Sequence, residues 1–194
     1  MRACIVIAGG AARRMGGVDK TMLQVGGSTL LDTVLSAAAP LCSRLVVVGP
    51  RRATTLREVV FTLEAEPGGG PVPAVLAGLA EVAPADEVFV LAADLARLSP
   101  AGLQQLLDEL HRHRAEAAAA GDGSGPPNPL LAVYRADALA RSAEVLRDNP
   151  RGMPASRLLP PMTVPVKLDA RQTLNVNTPA DLARAVLADQ EDRV

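Results

Sequence analysis

Aromatic side chains and net charge are both scarce in this sequence. It has no tryptophan, one tyrosine and two phenylalanines among 194 residues, and its formal net charge is −1. Proteins that bind single-stranded nucleic acid stack bases on aromatic rings and follow the phosphate backbone with a basic groove. The sequence therefore excludes a nucleic-acid partner, and any anionic ligand must be held by a local cluster of cations.

Long hydrophobic runs are also missing. The longest apolar stretches, 35–41 and 72–79, fall well short of the roughly 20 residues that cross a bilayer. The first residues lack the basic, apolar and small-residue order of a signal peptide, so we predict a cytoplasmic protein without a membrane partner. Cys4 and Cys42 supply neither a disulfide framework nor a metal-ligand spacing, which predicts two reduced core residues.

Length and composition favour one globular domain spanning 1–194, with 48% hydrophobic and 21% charged residues. Short apolar runs rich in branched residues alternate with longer runs of helical period, which predicts an α/β fold with parallel strands joined by helices. The predicted strands are 3–8, 44–48, 59–63, 87–92, 130–134, 163–168 and 173–176.

Capping hydroxyls followed by a proline, an acid or both mark three helix starts, at Thr29, Ser99 and Thr178. A further apolar helix is predicted over 73–82. His111 and His113 lie at the end of the helix that begins after Ser99, where they complement its dipole, and we assign them no chemistry.

The loop after the first predicted strand, residues 8–20, combines four glycines with the cations Arg13, Arg14 and Lys20. Glycines let backbone amides approach phosphate oxygens, and the cations neutralise their charge, so the loop is a candidate triphosphate cradle. The alternative is a glycine-rich surface turn with solvated cations. Two nucleotide motifs are disfavoured: Val18 and Asp19 stand where a P-loop needs its lysine, and the glycine spacing does not match G-x-G-x-x-G.

Ligands of open α/β sheets lie beyond the carboxyl ends of the strands, which directs attention to the residues that follow each strand. Asp94 ends an apolar strand, where a divalent cation bridging triphosphate oxygens needs an oxygen ligand. Its alternative role is a helix cap or turn. Asn175 and Asn177 are two positions apart, so both amides could face an acceptor, or simply form the turn before Thr178 and Pro179.

Two segments resemble a known family. Ala8-Gly9-Gly10, then Arg14-Met15-Gly16-Gly17-Val18-Asp19-Lys20, is similar to the amino-terminal signature of the molybdenum cofactor guanylyltransferases, the MobA family. Residues 174–182, Leu-Asn-Val-Asn-Thr-Pro-Ala-Asp-Leu, resemble the second strong motif of that family. The resemblance implies a single-domain, three-layer, Rossmann-like nucleotidyltransferase fold, with a mostly parallel sheet and helices on both faces. Gly9-Gly10 resembles the guanylyl branch more than the cytidylyl branch.

The resemblance also implies roles for individual residues. The implied nucleotide-binding residues are Ala8, Gly9, Gly10, Arg13, Gly16, Gly17, Lys20, Gly49, Glu66 and Asp94. The implied catalytic residues are Arg14, Lys20 and Asp94, and Asp94 would also bind Mg²⁺. The implied acceptor-binding residues are Asn175, Asn177 and Arg151.

The chain departs from the family pattern at three positions. The residue matching the family's base-binding aspartate is Glu66, with Glu64 as the alternative because loop lengths differ. Gly49 stands where relatives often have a polar residue, and Ala96 stands where they usually have a proline. These departures bear on base recognition and on the geometry of the loop that carries Asp94.

The activity implied by the resemblance is transfer of GMP from GTP to the terminal phosphate of molybdopterin, with release of pyrophosphate. The nucleotide would occupy the amino-terminal part of the chain and the acceptor the carboxyl-terminal part. Other proteins of molybdenum cofactor biosynthesis or molybdoenzyme chaperones are the implied protein partners. Two alternatives stay open: nucleotidyl transfer with other substrates, such as CTP or a small phosphorylated metabolite, and a non-catalytic nucleotide-binding paralogue.

Overall fold

The computed structural model describes residues 1–9 and 19–191, and the described chain is organised around one large β-sheet. Its seven strands are β1 (Arg2–Ile7), β4 (Arg44–Val48), β5 (Val59–Thr62), β6 (Glu87–Ala92), β7 (Ala117–Ala120), β8 (Asn128–Arg135) and β9 (Thr163–Val166), and a separate hairpin pairs β2 (Gln24–Val25) with β3 (Ser28–Thr29). The strands of the large sheet lie in the order β5-β4-β1-β6-β8-β7-β9, and all of them except β8 run in the same direction.

Helices cover both faces of the sheet, as the sequence predicted. The five helices are α1 (Leu30–Ala38), α2 (Pro71–Val82), α3 (Pro100–Arg112), α4 (Ala136–Val145) and α5 (Pro179–Glu191). Helices α1 and α3 pack on one face, and α2 and α4 pack on the other. Alternate side chains of a strand point to opposite faces of the sheet, as β1 shows. Cys4 and Val6 belong to the first core, between the sheet and helices α1 and α3, and Ala3 and Ile5 belong to the second core, between the sheet and helices α2 and α4.

A third, smaller core attaches α5 to the rest of the molecule. Val25 of the hairpin, Leu30 of α1, Ala96, Val176 and Ala185 of α5 are buried together. Because Ala96 and Val176 belong to two separate loops, this cluster holds the carboxyl-terminal segment against the loop that follows β6.

The predicted α/β class and six of the seven predicted strands are confirmed, and the helix starts at Thr29, Ser99 and Thr178 are correct to the residue. The predicted strand 173–176 is wrong: its residues form only an isolated antiparallel bridge, between Asn175 and Leu95. Strand β7 was not predicted, because its four alanines have no strand preference of their own. They form a strand because β8 and β9 flank them on both sides.

The remaining structural predictions concern single residues. Cys4 is buried, Cys42 is partly buried, and both are free thiols, in agreement with the predicted reduced state. Burial raises the pKa of both thiols, that of Cys42 to about 12. His111 lies in the last turn of α3 and His113 caps it, as predicted. No helix in the described part of the chain has the length and apolar character needed to span a membrane.

Helix α2 approaches β1 closely at Gly78. A Cβ atom added to Gly78 would lie 2.5 Å from Cγ2 of Ile5, which is fully buried in the second core. Since core side chains are close-packed, Ile5 has little room to move away. The glycine therefore sets the distance between this helix and the sheet.

We predict that Gly78→Ala lowers the free energy of unfolding. Overpacking costs about 1–3 kcal/mol and loss of a helical glycine returns about 1 kcal/mol, so a net loss of up to about 2 kcal/mol is expected. Urea unfolding measures it, with Gly125→Ala as a control because no atom lies within 4 Å of the added Cβ there. A gain of about 1 kcal/mol in Gly78→Ala, the full benefit of removing a helical glycine, would mean that α2 is not packed this closely.

Candidate functional site

The carboxyl ends of four parallel strands meet at one edge of the sheet. Ala8, Gly49, Glu64 and Asp94 follow β1, β4, β5 and β6 respectively. Backbone hydrogen bonds continue past the strands here, from Ala8 N to Val48 O (2.9 Å) and from Ala93 N to Ile7 O (3.0 Å). The structure thus places at one edge of the sheet residues that were selected because they follow a strand or match the family pattern.

Lys20 connects this edge to the carboxyl-terminal segment. Its Nζ donates to Oδ2 of Asp94 at 2.9 Å and to Oδ1 of Asn177 at 2.9 Å. The Lys20 and Asp94 side chains are only 21% and 19% exposed, so solvent screens this ion pair less than a surface pair. A predicted phosphate-binding cation, a predicted metal ligand and a predicted acceptor residue therefore converge at one point.

Asp94 and Asn175 each keep one buried oxygen atom unpaired. Oδ1 of Asp94 and Oδ1 of Asn175 have no hydrogen-bond partner among the described residues. The two segments are joined through the backbone, from Val176 N to Asp94 O (2.9 Å) and from Ala96 N to Leu174 O (3.0 Å). Buried polar atoms without partners are rare and mark a place where a ligand is expected.

The oxygen atoms at Asp94 fit a hard divalent cation of the magnesium type. Such an ion is held by one or two carboxylates, and substrate phosphates and water complete its coordination. Oδ1 of Asp94 is available for this role, whereas Oδ2 is engaged by Lys20. No group of three or more histidine, cysteine or acidic side chains able to hold a metal occurs in 1–9 and 19–191, so a complete cage built from such side chains is not seen there.

Asn177 is held in place by the start of α5. Oδ2 of Asp181 accepts hydrogen bonds from the backbone N–H of Asn177 (3.0 Å) and Thr178 (2.9 Å), while Oγ1 of Thr178 accepts from Asp181 N (3.2 Å). This is a reciprocal capping arrangement. The hydrogen bond from Thr178, with others from Arg184 and the Asn177 amide, lowers the pKa of Asp181 to about 2. The helix start therefore orients the asparagine that contacts Lys20.

The two candidate base-binding carboxylates lie in different environments. Glu64 is partly buried: its Oε2 accepts from Gly69 N at 3.1 Å, and its Oε1 lies 3.0 Å from the Cβ that Gly9 would carry. The Glu66 side chain is 82% exposed and pairs with Arg151 at 3.3 Å. Arg151, expected near the acceptor, thus contacts the loop that precedes α2.

Gly49 and Arg52 shape the end of β4. A Cβ on Gly49 would lie 2.9 Å from the Ala8 carbonyl oxygen and 3.1 Å from Nη1 of Arg52, and Gly49 has φ of +154°. A polar side chain, which the family often has here, would collide with the end of β1. Arg52 was missed by the sequence analysis, although its position shortly after β4 was a signal. Gly10, Arg13, Arg14, Gly16 and Gly17 lie outside the described residues.

The sheet order and the cluster of polar side chains beyond its carboxyl edge define an α/β nucleotidyltransferase. The crystal structure of molybdopterin-guanine dinucleotide biosynthesis protein A from Archaeoglobus fulgidus superposes with a TM-score of 0.75 at 24% identity, covering 98% of this chain and all of that one. The 2-C-methyl-D-erythritol 4-phosphate cytidylyltransferase from Thermus thermophilus gives a TM-score of 0.73 at 20% identity, with coverage of 98% and 100%. Both comparisons establish the fold.

Sequence comparison identifies the family. The model of the MobA-like NTP transferase domain matches residues 4–160, and the chain belongs to this family. A probable molybdenum cofactor guanylyltransferase from Chloroflexus aggregans is 32% identical over 94% of this chain and 92% of its own length. A molybdenum cofactor guanylyltransferase from Rhodopseudomonas palustris is 34% identical, over 93% and 89%. The resemblance found in the two sequence motifs is thereby confirmed.

The low pKa of Asp181 predicts a specific acid dependence of stability. An unfolded aspartate titrates near pH ~3.9, so the stabilisation by Asp181 is present above about pH 4 and is lost as the pH falls towards 2. We predict that the wild type loses stability over this range more steeply than Asp181→Asn, and that the two converge near pH 2. Urea unfolding at a series of pH values measures this.

The control for the acid series is Asp148→Asn, which changes an exposed carboxylate with no hydrogen bond or ion pair among the described residues. It should follow the wild-type curve. Identical acid dependence in the wild type and Asp181→Asn would contradict the capping role of Asp181.

Proposed function

We propose that this nucleotidyltransferase transfers GMP from GTP to the terminal phosphate of molybdopterin and releases pyrophosphate. The relatives named as molybdenum cofactor guanylyltransferases support the substrates, since their similarity extends over more than nine-tenths of this chain. The observation that carries the proposal is the contact of Lys20 Nζ with Asp94 and Asn177, each at 2.9 Å. This contact brings together a cation proposed for the triphosphate (Lys20), an oxygen ligand proposed for a metal (Asp94) and an amide proposed for the acceptor (Asn177).

The proposed nucleophile needs no catalytic base. A phosphate monoester with a second pKa of about 6 is largely dianionic at neutral pH and can attack the α-phosphorus of GTP directly. This agrees with the position of His111, which contacts Glu87 at the opposite end of β6 from Asp94. Catalysis then depends on alignment of the two phosphates and on neutralisation of the charge that develops on pyrophosphate.

Lys20 is the residue proposed to neutralise that charge. Its ammonium is held by Asp94 and Asn177, which direct it into the site. Arg14 and the glycine-rich loop, with Gly10, Arg13, Gly16 and Gly17, are proposed to surround the phosphates together with Ala8 and Gly9. Gly49 offers them only its backbone.

Asp94 is proposed to bind Mg²⁺ through Oδ1, which has no hydrogen-bond partner in 1–9 and 19–191. The bound ion would supply a positive charge shared by the triphosphate oxygens. With Lys20 on Oδ2 and the ion on Oδ1, Asp94 would hold two cations that balance the phosphate charge at the end of β6.

Guanine recognition is proposed for a carboxylate near α2. Guanine presents two adjacent donors, at N1 and N2, that one carboxylate can accept. Burial favours Glu64, because water competes less at a partly buried carboxylate than at Glu66, which is 82% exposed and paired with Arg151. Glu66 stays a prediction for this role.

The acceptor is proposed to lie beside Asn175 and Asn177, in the carboxyl-terminal part of the chain. The buried Oδ1 of Asn175, which has no hydrogen-bond partner within the described part of the chain, supports a polar ligand on this side. Arg151 stays a prediction for the acceptor phosphate. Two reduced thiols agree with a cytoplasmic location, where proteins of molybdenum cofactor biosynthesis or molybdoenzyme chaperones would be the protein partners.

The first test is magnesium-dependent pyrophosphate release from GTP, CTP and ATP, each with and without molybdopterin. We expect release only with GTP and the acceptor, and none from Asp94→Ala. A preference for CTP would make the protein a cytidylyltransferase. No release from any triphosphate in the presence of a verified acceptor would contradict the proposed function and favour a nucleotide-binding paralogue.

Lys20→Ala tests the proposed role of the lysine in turnover. Because it removes a donor to charge that develops in the transition state, kcat should fall about 10²-fold or more, while KM for GTP changes little. Steady-state kinetics of pyrophosphate release measure both constants. A large rise in KM at unchanged kcat would instead assign Lys20 to ground-state binding.

The paired variants Glu64→Gln and Glu66→Gln test base recognition. Glutamine at position 64 can still accept from Gly69 N but turns a donor towards guanine, so KM for GTP should rise roughly 10-fold or more, whereas Glu66→Gln should change it less than about 3-fold. The reverse order of effects would assign the base to Glu66.

A further inference from the structure

Arg52 is held firmly beside the carboxyl ends of β1 and β4. Its side chain is only 12% exposed, its Nη1 donates to the Pro50 carbonyl oxygen at 3.0 Å, and its Nε donates to Oδ2 of Asp19 at 2.6 Å. The glycine at position 49 leaves room for the guanidinium, since a Cβ there would lie 3.1 Å from Nη1. A partly buried arginine fixed at two atoms has a defined position.

The loop that carries Arg52 is attached to α1. Oδ1 of Asp32 accepts from Oγ1 of Thr54 (2.6 Å) and from Thr55 N (3.0 Å). Burial acts to raise the pKa of Asp32, but the hydrogen bonds from Thr54 and Thr55 outweigh it and keep that pKa below its usual value. The loop that carries Arg52 is therefore fixed by hydrogen bonds to the buried Asp32 of α1.

Asp19 links Arg52 to the turn that carries Lys20. While Oδ2 of Asp19 binds Arg52, its Oδ1 accepts from Thr21 N (3.1 Å) and Thr21 Oγ1 (2.8 Å) and caps the short 3₁₀ turn Lys20–Met22. Burial acts to raise the pKa of Asp19, but the hydrogen bonds from Arg52 and Thr21 prevail and lower it. A turn of three residues has poor hydrogen-bond geometry of its own and depends on such a cap.

We propose that Arg52 is a positioning residue for Lys20, acting through Asp19. The pair formed by Arg52 and Asp19 fixes the turn from which the Lys20 side chain extends, and thereby directs its ammonium to Asp94 and Asn177. A lysine side chain loses rotamer entropy when it is fixed, so a rigid backbone at Lys20 makes it easier to hold the ammonium in one place.

The alternative role for Arg52, direct binding of a phosphate, fits the geometry less well. Two of its nitrogen atoms are already engaged, Nε by the Asp19 carboxylate and Nη1 by a backbone carbonyl. A phosphate could reach Nε only by displacing Asp19.

The kinetic test compares Arg52→Gln, Asp19→Asn and the double variant in pyrophosphate release, and this part rests on the proposed function. If both residues act on Lys20 through one contact, each single variant lowers kcat about 10-fold and changes KM for GTP less than about 3-fold. The kcat of the double variant then equals that of the less active single variant. Arg57→Gln is the matched control, at an exposed arginine of the same loop, and should behave as wild type.

A second test reads the position of Lys20 without any substrate. Lys20 and Lys167 are the two lysines of the sequence, so reductive methylation followed by peptide mass spectrometry reports on each amine separately. Lys20 should react several-fold faster in Arg52→Gln and in Asp19→Asn than in the wild type, whereas Lys167, an exposed residue, should react at an unchanged rate in all proteins. Thermal unfolding accompanies the labelling.

The outcomes are distinguishable. Unchanged Lys20 reactivity in both single variants, or a raised KM with unchanged kcat in Arg52→Gln alone, would overturn the proposal and assign Arg52 to direct phosphate contact. A rise in reactivity at both lysines together with a lower melting temperature would also overturn it, in favour of a general structural role. If the wild type releases no pyrophosphate, the proposed function fails, but the labelling result still decides whether Arg52 positions Lys20. Should Arg52→Gln not fold, Asp19→Asn tests the same link.

Discussion

The arrangement of the site depends on one partly buried ammonium group, that of Lys20. It joins the 3₁₀ turn 20–22, the loop after β6 and the segment before α5. It also donates to a carboxylate oxygen and an amide oxygen that have no other donor among the described residues. An ion pair with side chains about one-fifth exposed is more than a surface contact, since its desolvated groups depend on each other. In the proposed reaction the same ammonium contacts the phosphates, and its contacts with Asp94 and Asn177 orient it for this role.

The architecture around this group consists of a sheet that fixes where the site lies and of loop side chains that complete it. The parallel strands β1, β4 and β6 bring their carboxyl ends to one edge and fix where Asp94 can lie. The backbone bridge between 94–96 and 174–176, with the small core that includes Ala96 and Val176, fixes the carboxyl-terminal segment against that edge. Side chains on the connecting loops, Arg52 and Glu64 among them, then complete the site without altering the sheet.

The sequence allowed most of the fold and much of the site to be predicted, for local reasons. Cap residues such as Thr29 and Ser99 satisfy amides within their own helix, so their signal needs no tertiary information. The alternation in β1 and β6 is likewise local. The alanines of β7 carried no such signal, and the segment 173–176 imitated a strand although its backbone pairs only once, with Leu95. Arg52 escaped prediction because its importance lies in a partner 33 positions away.

The sequence by itself determined the α/β class, the helix starts and the two motifs, because each depends on side chains acting on their own backbone or on a short, contiguous pattern. The tertiary structure alone decided which of the candidate residues meet. Lys20 is 74 positions from Asp94 and 157 from Asn177, and no local preference encodes contacts across such separations. The tertiary structure also distinguished Glu64 from Glu66, the two alternative base-binding candidates in the sequence. Only the folded chain partly buries the Glu64 carboxylate and leaves that of Glu66 in water.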